Sequence, residues 1–390
     1  MSLLYYGEGG SLMTNDRRIR WITFVAALFA CSILSGGHPR NATDTPLYVS
    51  LADGMRTGDV SGIVTLSAAR WSKATYLTIL ALARSFAGGQ WTLVMMFVNI
   101  LCSALTAVLL VDLVRRATRW RGAWVFALIS YLVCWDIWSW LPFVVTDVMY
   151  TLVAFVPFAL VARRLIIDGE PFRPFLLTAS LVIVFFTRPP GIVIIPLVLF
   201  VELVFVRRRV RGRTAALTIM AAAVLALLVR TAVVQDPARW PFRFLQPKLV
   251  EFSGREKAGE VMQDRKESYR PPPHTMADHV AIESDRFVRF FQVTAPTNSR
   301  RHNLISLVFF VPLYSLALLG AGAGLAGCDR HRINLVITLL VWIGVFAFFH
   351  ALTILDYDWR FRLPLLPQMI LLAACGADAL AARWRPQTQA

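Results

Sequence analysis

Residues 91–112 read WTLVMMFVNILCSALTAVLLVD, an apolar run whose one ionisable residue is the terminal Asp112, with Arg115 and Arg116 just beyond it. As a helix rising 1.5 Å per residue, such a run covers the roughly 30 Å hydrocarbon core of a bilayer. Similar runs recur along the whole chain. They predict helices at 20–37, 91–112, 122–140, 144–162, 173–187, 189–206, 214–234, 304–326, 333–353 and 363–383. The first follows Asp16-Arg17-Arg18-Ile19-Arg20 and resembles a signal peptide, but it lacks a small-x-small cleavage site and is read as a retained helix.

Composition agrees with these runs. The chain of 390 residues is 57% hydrophobic and only 16% charged, with a mean hydropathy of +0.58. A soluble domain of this size needs far more charge to build its surface. The expected fold is therefore an all-α polytopic membrane protein with about ten transmembrane helices, forming a single domain over 1–390. The formal charge of +16 does not point to nucleic acid, because the basic residues gather at the ends of apolar runs rather than along one face. Four of the five cysteines (Cys31, Cys102, Cys134 and Cys375) lie inside such runs; with Cys328 they show no paired spacing, and they read as small buried hydrophobes.

Orientation follows from the short loops. With the N-terminus inside, cytoplasmic segments hold Arg17, Arg18, Arg20, Arg115, Arg116, Arg119, Arg121, Arg163, Arg164 and Arg173. The same side then takes the arginines of 207–213 and Arg330, Arg332, Arg383 and Arg385, nearly half of the 40 basic residues in all. The short turns on the other side hold only Arg188, Arg360 and Arg362. This bias puts both termini in the cytoplasm; for a bacterial source the membrane is the inner (plasma) membrane and its outer face the periplasm. Two long segments, 38–90 and 235–303, then become periplasmic loops. In the first, Thr45 is placed to cap a helix beginning at Pro46, and Gly58 to end it. Leu47, Leu51 and Met55 give that helix an apolar stripe suited to lying on the outer leaflet, with Asp44 at its mouth. Residues 74–87 predict a second interfacial helix.

The central stretches of the ten spans carry no Asp, Glu, Lys, Arg or His. Asp112, Glu202 and Asp378 lie near cytoplasmic helix ends beside arginines, where pairing or snorkelling explains them. At the outer surface the topology gathers Asp44, Asp136, Asp147, Arg188, Arg230, His350, Asp356, Asp358, Arg360 and Arg362. Carboxylates there can serve as general bases towards a hydroxyl, and arginines can grip a phosphate bidentately. An ion-coupled transporter instead needs ionisable or broken-helix sites near the midplane, and none is visible.

At these same positions the chain resembles the GT-C superfamily of membrane glycosyltransferases, especially bacterial relatives of protein O-mannosyltransferases and lipid A aminoarabinose transferases. Four stretches carry the resemblance, in family order: Asp44-Thr45-Pro46-Leu47-Tyr48-Val49-Ser50-Leu51-Ala52, Thr146-Asp147, Thr187-Arg188-Pro189-Pro190-Gly191, and Arg360-Phe361-Arg362-Leu363-Pro364-Leu365-Leu366-Pro367. Thr45 stands where many members have a second acidic residue, so no metal site or second base is carried over there. The four stretches run from residue 44 to 367, nearly the whole chain, and with the sequence stopping soon after the tenth helix the expectation is a chain without the large C-terminal periplasmic domain of some relatives.

The resemblance implies an enzyme that moves a sugar, with inversion, from a polyprenyl-phosphate-linked donor to a periplasmic acceptor: a glycan, lipid or protein. It implies Asp44 as catalytic base, Asp147 as the second acidic position, Tyr48 beside the substrate, and Arg188, Arg360 and Arg362 on the donor phosphate. No cofactor is implied, and the sequence offers no support for a divalent metal, since Asp356 and Asp358 have no evident third ligand. Plainer roles stand beside these. Asp44 can cap the loop helix, Asp147 can cap its own helix or bond to Trp135, Trp138 or Trp140, and the three arginines, His350 and Arg230 can anchor at headgroups. Two rival functions share the carrier: a flippase of a lipid-linked glycan, and a glycan polymerase or ligase.

Overall fold

Inside a bilayer each backbone N–H and C=O must be satisfied within the protein, and a helix does this locally. The computed structural model describes residues 9–59, 73–167, 170–206, 276–295, 298–353 and 359–384. Among these residues every regular element is helical, and extended pairing occurs only at an isolated bridge between Arg40 and Phe143. Among the described residues, five helical stretches are long and apolar enough to cross a membrane: Ala74–Ala117, Asp147–Ile166, Arg300–Leu325, Arg330–Ala351 and Arg360–Trp384. Ala123–Val133, Pro174–Phe185 and Gly191–Val206 are apolar but shorter. The helix expected at 214–234 lies outside the described residues, as do Arg230, Asp356, Asp358 and most of the loop 235–303.

In chain order the helices are α1 (Gly9–Leu34), α2 (Thr45–Thr57), α3 (Ala74–Ala87), α4 (Trp91–Ala117), α5 (Ala123–Val133), the single turn α6 (Trp135–Trp138) and α7 (Asp147–Ile166). They continue as α8 (Pro174–Phe185), α9 (Gly191–Val201), α10 (Met276–Phe290), α11 (Arg300–Leu325), α12 (Arg330–Thr353) and α13 (Leu366–Trp384). The helix expected over 122–140 is thus divided. At Cys134 the backbone turns extended, and the short α6 that follows carries Asp136 inward to Arg362.

The surface is apolar where a soluble protein's is not. On α1, Trp21, Val25 and Phe29 recur every four residues and are 66%, 58% and 67% exposed. Charged groups instead pair inside one end of the bundle. Asp112 on α4 is 2% exposed and accepts from Arg20 of α1, Arg116 of its own helix and Arg163 of α7. Glu202 takes Arg164; Asp378 takes Arg332 and the backbone N–H groups of Arg119 and Trp120. These acids are paired with arginines, as their sequence neighbourhood suggests.

α13 is the central helix, buried continuously from Leu366 to Gly376. It meets α11 through glycine: a Cβ on Gly320 would strike the Leu372 carbonyl, and one on Gly376 the Leu316 carbonyl. Close backbone approach of this kind replaces a hydrophobic driving force between helices in lipid. Gly324 instead makes room for the Val336 side chain of α12, whereas Gly322 faces open space.

At the opposite end, α2 and α3 stack on each other and on the start of α4 around a second apolar cluster that includes Tyr48, Leu51, Tyr76, Leu80 and Met95. Arg84 of α3 clasps the Asp53 carboxylate of α2 with bonds of 2.8 Å from Nε and Nη2. The helix 74–87 forms as expected. The capping of α2 differs. Asp44 occupies the cap position without a side-chain capping bond, while the Thr45 hydroxyl accepts from Ala42 N–H at 2.8 Å and donates to the Val144 carbonyl at 3.1 Å. Gly58 does close the helix, at φ 82°.

Candidate functional site

Three local devices bring distant segments to this end. The Arg40–Phe143 bridge and the Thr45–Val144 bond tie the start of α2 to the chain leading into α7. Asn99 of α4, buried, donates to the carbonyls of Leu141 and Phe143 and fixes the same loop from below. The Thr187–Gly191 hairpin is the third. Its two prolines stop both helices, and a Cβ at Gly191 would strike the Val184 carbonyl, so the turn closes only with glycine there. Thr75 N–H donates 2.9 Å to the Phe186 carbonyl, which joins α3 to this hairpin.

The result is a cluster centred on Tyr48. Its ring is 3% exposed and meets Tyr76 edge-on at 5.5 Å. Its phenol donates to Asp44 Oδ2 at 3.4 Å and accepts from Lys73 Nζ at 3.1 Å. Asp147, 2% exposed at the first turn of α7, accepts from Arg188. The Arg188 guanidinium lies 5.7 Å over the Tyr150 ring and 6.0 Å over that of Phe361, whose ring also receives Arg360 at 5.3 Å. Arg360 further lies 5.8 Å over Trp140. One aromatic ring therefore holds two guanidinium groups together.

These charges are felt at the phenol. Burial pushes the Tyr48 pKa up; Asp44 and Asp147 add to this, while Arg188 and Arg360 oppose it. Tyr48 is thus a neutral donor at physiological pH. Burial acts to lower the Arg188 pKa, but the charge and hydrogen bond of Asp147, together with Tyr48 and Tyr150, raise it overall. Among the described residues, the carboxylates of Asp44 and Asp147 share this aromatic-walled site with the cations of Lys73, Arg188 and Arg360.

The structure brings together five of the six residues singled out in the sequence: Asp44, Tyr48, Asp147, Arg188 and Arg360. Asp147 pairs with Arg188 rather than capping α7. The sixth, Arg362, is 2% exposed and engaged elsewhere. Its Nε donates 2.7 Å to Asp136, its Nη1 donates 2.6 Å to the Gln292 carbonyl, and its guanidinium lies 3.8 Å over Phe310. His350 is buried rather than at an interface, stacked against Phe290 and Phe361. Sequence reasoning missed Lys73, although a lysine directly before a predicted interfacial helix is a cation at the right surface. Among the described residues no three His, Cys, Asp or Glu side chains gather as a metal site.

No family model, curated protein or solved structure matches this chain. What the site offers chemically rests on its own residues: a carboxylate positioned by a phenol, a second carboxylate balanced by arginine, and guanidinium groups stacked on a shared ring.

Proposed function

We propose that this chain is a GT-C-type glycosyltransferase of a bacterial inner membrane, with about ten spans, both termini cytoplasmic and the site facing the periplasm. Its donor is a sugar linked to polyprenyl phosphate, and its acceptor a hydroxyl or amine of a glycan, lipid or protein. The observation that carries this reading is the meeting of Asp44, Asp147, Arg188 and Arg360 around Tyr48, from four segments far apart in the chain.

The chemistry is a single displacement. Asp44 takes the acceptor proton as the acceptor oxygen or nitrogen bonds to the sugar's anomeric carbon. The bond from that carbon to the phosphate oxygen breaks, and polyprenyl phosphate leaves with the electron pair. Arg188 and Arg360 stabilise the negative charge that grows on the phosphate, an effect strengthened where water is excluded. Asp147 keeps Arg188 oriented.

The test is sugar transfer from a synthetic short-chain polyprenyl-phosphate sugar by the purified protein, alongside melting in detergent. Asp44→Asn is expected to lose about 10²–10⁴ in turnover with donor binding and melting temperature nearly unchanged, since Asp44 makes no capping bond. Arg360→Ala is expected to weaken donor binding roughly tenfold or more. Near-normal turnover by Asp44→Asn removes it as base. Movement of the intact lipid across vesicles without transfer favours a flippase instead, and a demand for a preassembled oligosaccharide donor favours a ligase.

A further inference from the structure

Lys73 stands at the last position before α3, and Leu77 N–H donates 2.9 Å to its carbonyl. The bond from Thr75 to Phe186 fixes this end of α3 against the 187–191 hairpin. From there the Lys73 ammonium donates to the Tyr48 oxygen at 3.1 Å and also lies 4.7 Å over the Tyr48 ring. Tyr48 in turn donates to Asp44 Oδ2 one helical turn earlier.

The direction of this chain is dictated by its members. An ammonium has donors only, an ionised carboxylate has acceptors only, and a phenol has one proton to give. With Lys73 on the phenol oxygen, the phenol proton is committed to Asp44. We propose that Lys73 is a positioning residue that acts on Asp44 through Tyr48, holding Oδ2 so that Oδ1 takes the acceptor proton. This rests on the transferase reading. It changes the role of Tyr48 from a substrate contact to a relay, and gives a reason for a buried tyrosine between a lysine and an aspartate. Burial keeps the phenol protonated, so the relay holds across the physiological pH range. Hydrogen bonds to charged partners in a site of low dielectric polarise one another, which strengthens the set beyond its separate pairs.

Two measurements test it, the first without any need for activity. A 3-fluorotyrosine placed at position 48 of the full chain in detergent is expected to shift its ¹⁹F resonance on Lys73→Met and again on Asp44→Asn, with Lys73→Arg intermediate. A resonance unmoved by Lys73→Met overturns the contact. The second is transfer kinetics. Lys73→Met is expected to lower kcat roughly tenfold while the donor KM changes less than about twofold. Lys73→Arg is expected to recover part of that loss. The double variant Lys73→Met/Tyr48→Phe is expected to be no slower than the slower single variant, because both act along one chain. Additive losses, or a raised donor KM, place Lys73 on the donor itself and overturn the relay. An unaltered protein that transfers no sugar removes the transferase reading, and the catalytic role of the relay with it, while the ¹⁹F result still decides the contact.

Discussion

At the scale of single residues, Arg360 and Arg362 are two positions apart and chemically identical, yet they have different surroundings. Arg360 lies over Trp140 and Phe361, facing the cluster around Tyr48. Arg362 is enclosed with Asp136, both nearly without solvent exposure, and it also joins the Gln292 carbonyl beyond α10 to the α6 turn. Breaking one partner of a buried pair leaves a charge with no compensation, at a cost of about 3–5 kcal/mol, whereas replacing both with apolar groups is often nearly neutral. Arg362→Met is therefore expected to lower the stability of the purified protein by about that amount, and Arg362→Met with Asp136→Leu to regain most of it. Donor affinity measured on the double variant separates the roles. Affinity close to that of the parent chain assigns Arg362 to the fold, and a tenfold loss returns it to the donor phosphate.

Among the elements, the α11–α13 pair shows how a glycine-rich stretch divides its work. The run from Gly320 to Gly324 suggests close helix packing, but only the partner helix says which glycines matter. Gly320 and Gly376 each face a backbone carbonyl of the other helix, while Gly322 faces open space. A carbonyl cannot move aside as a flexible side chain can. Gly376→Ala is expected to lower the melting temperature in detergent through an overpacking cost of about 1–3 kcal/mol, whereas Gly322→Ala is expected to leave it unchanged or slightly raised. Equal effects of the two substitutions would contradict this division. Element boundaries were legible wherever they are set locally. The helix 74–87 and the hairpin at Pro189 and Pro190 needed no partner to be read, because proline removes a donor wherever it stands. The break at Cys134 was not legible: residues 122–140 form one apolar run, and the helix ends where Asp136 turns in to meet an arginine 226 positions away.

Over the whole molecule, the apolar exterior and the paired charges at the end bearing Asp112 agree with a membrane setting, and in the proposed topology that end faces the cytoplasm. In a variant lacking the five native cysteines, Ser284→Cys is expected to react with a membrane-impermeant thiol reagent on intact spheroplasts, and Arg121→Cys only after the membrane is opened. Both positions are exposed. Labelling of the Arg121→Cys variant from outside would invert the arrangement and put the Tyr48 cluster in the cytoplasm. By itself the sequence determined the membrane class and the set of candidate charges, since bilayer thickness and the cost of an unsatisfied backbone act on each segment separately. Only the tertiary structure decided which charges meet. It gave Arg188 to Asp147, Arg362 to Asp136 and Lys73 to Tyr48, because an ion pair or hydrogen bond depends on a few ångströms of separation. That separation is set by how helices pack across the whole chain.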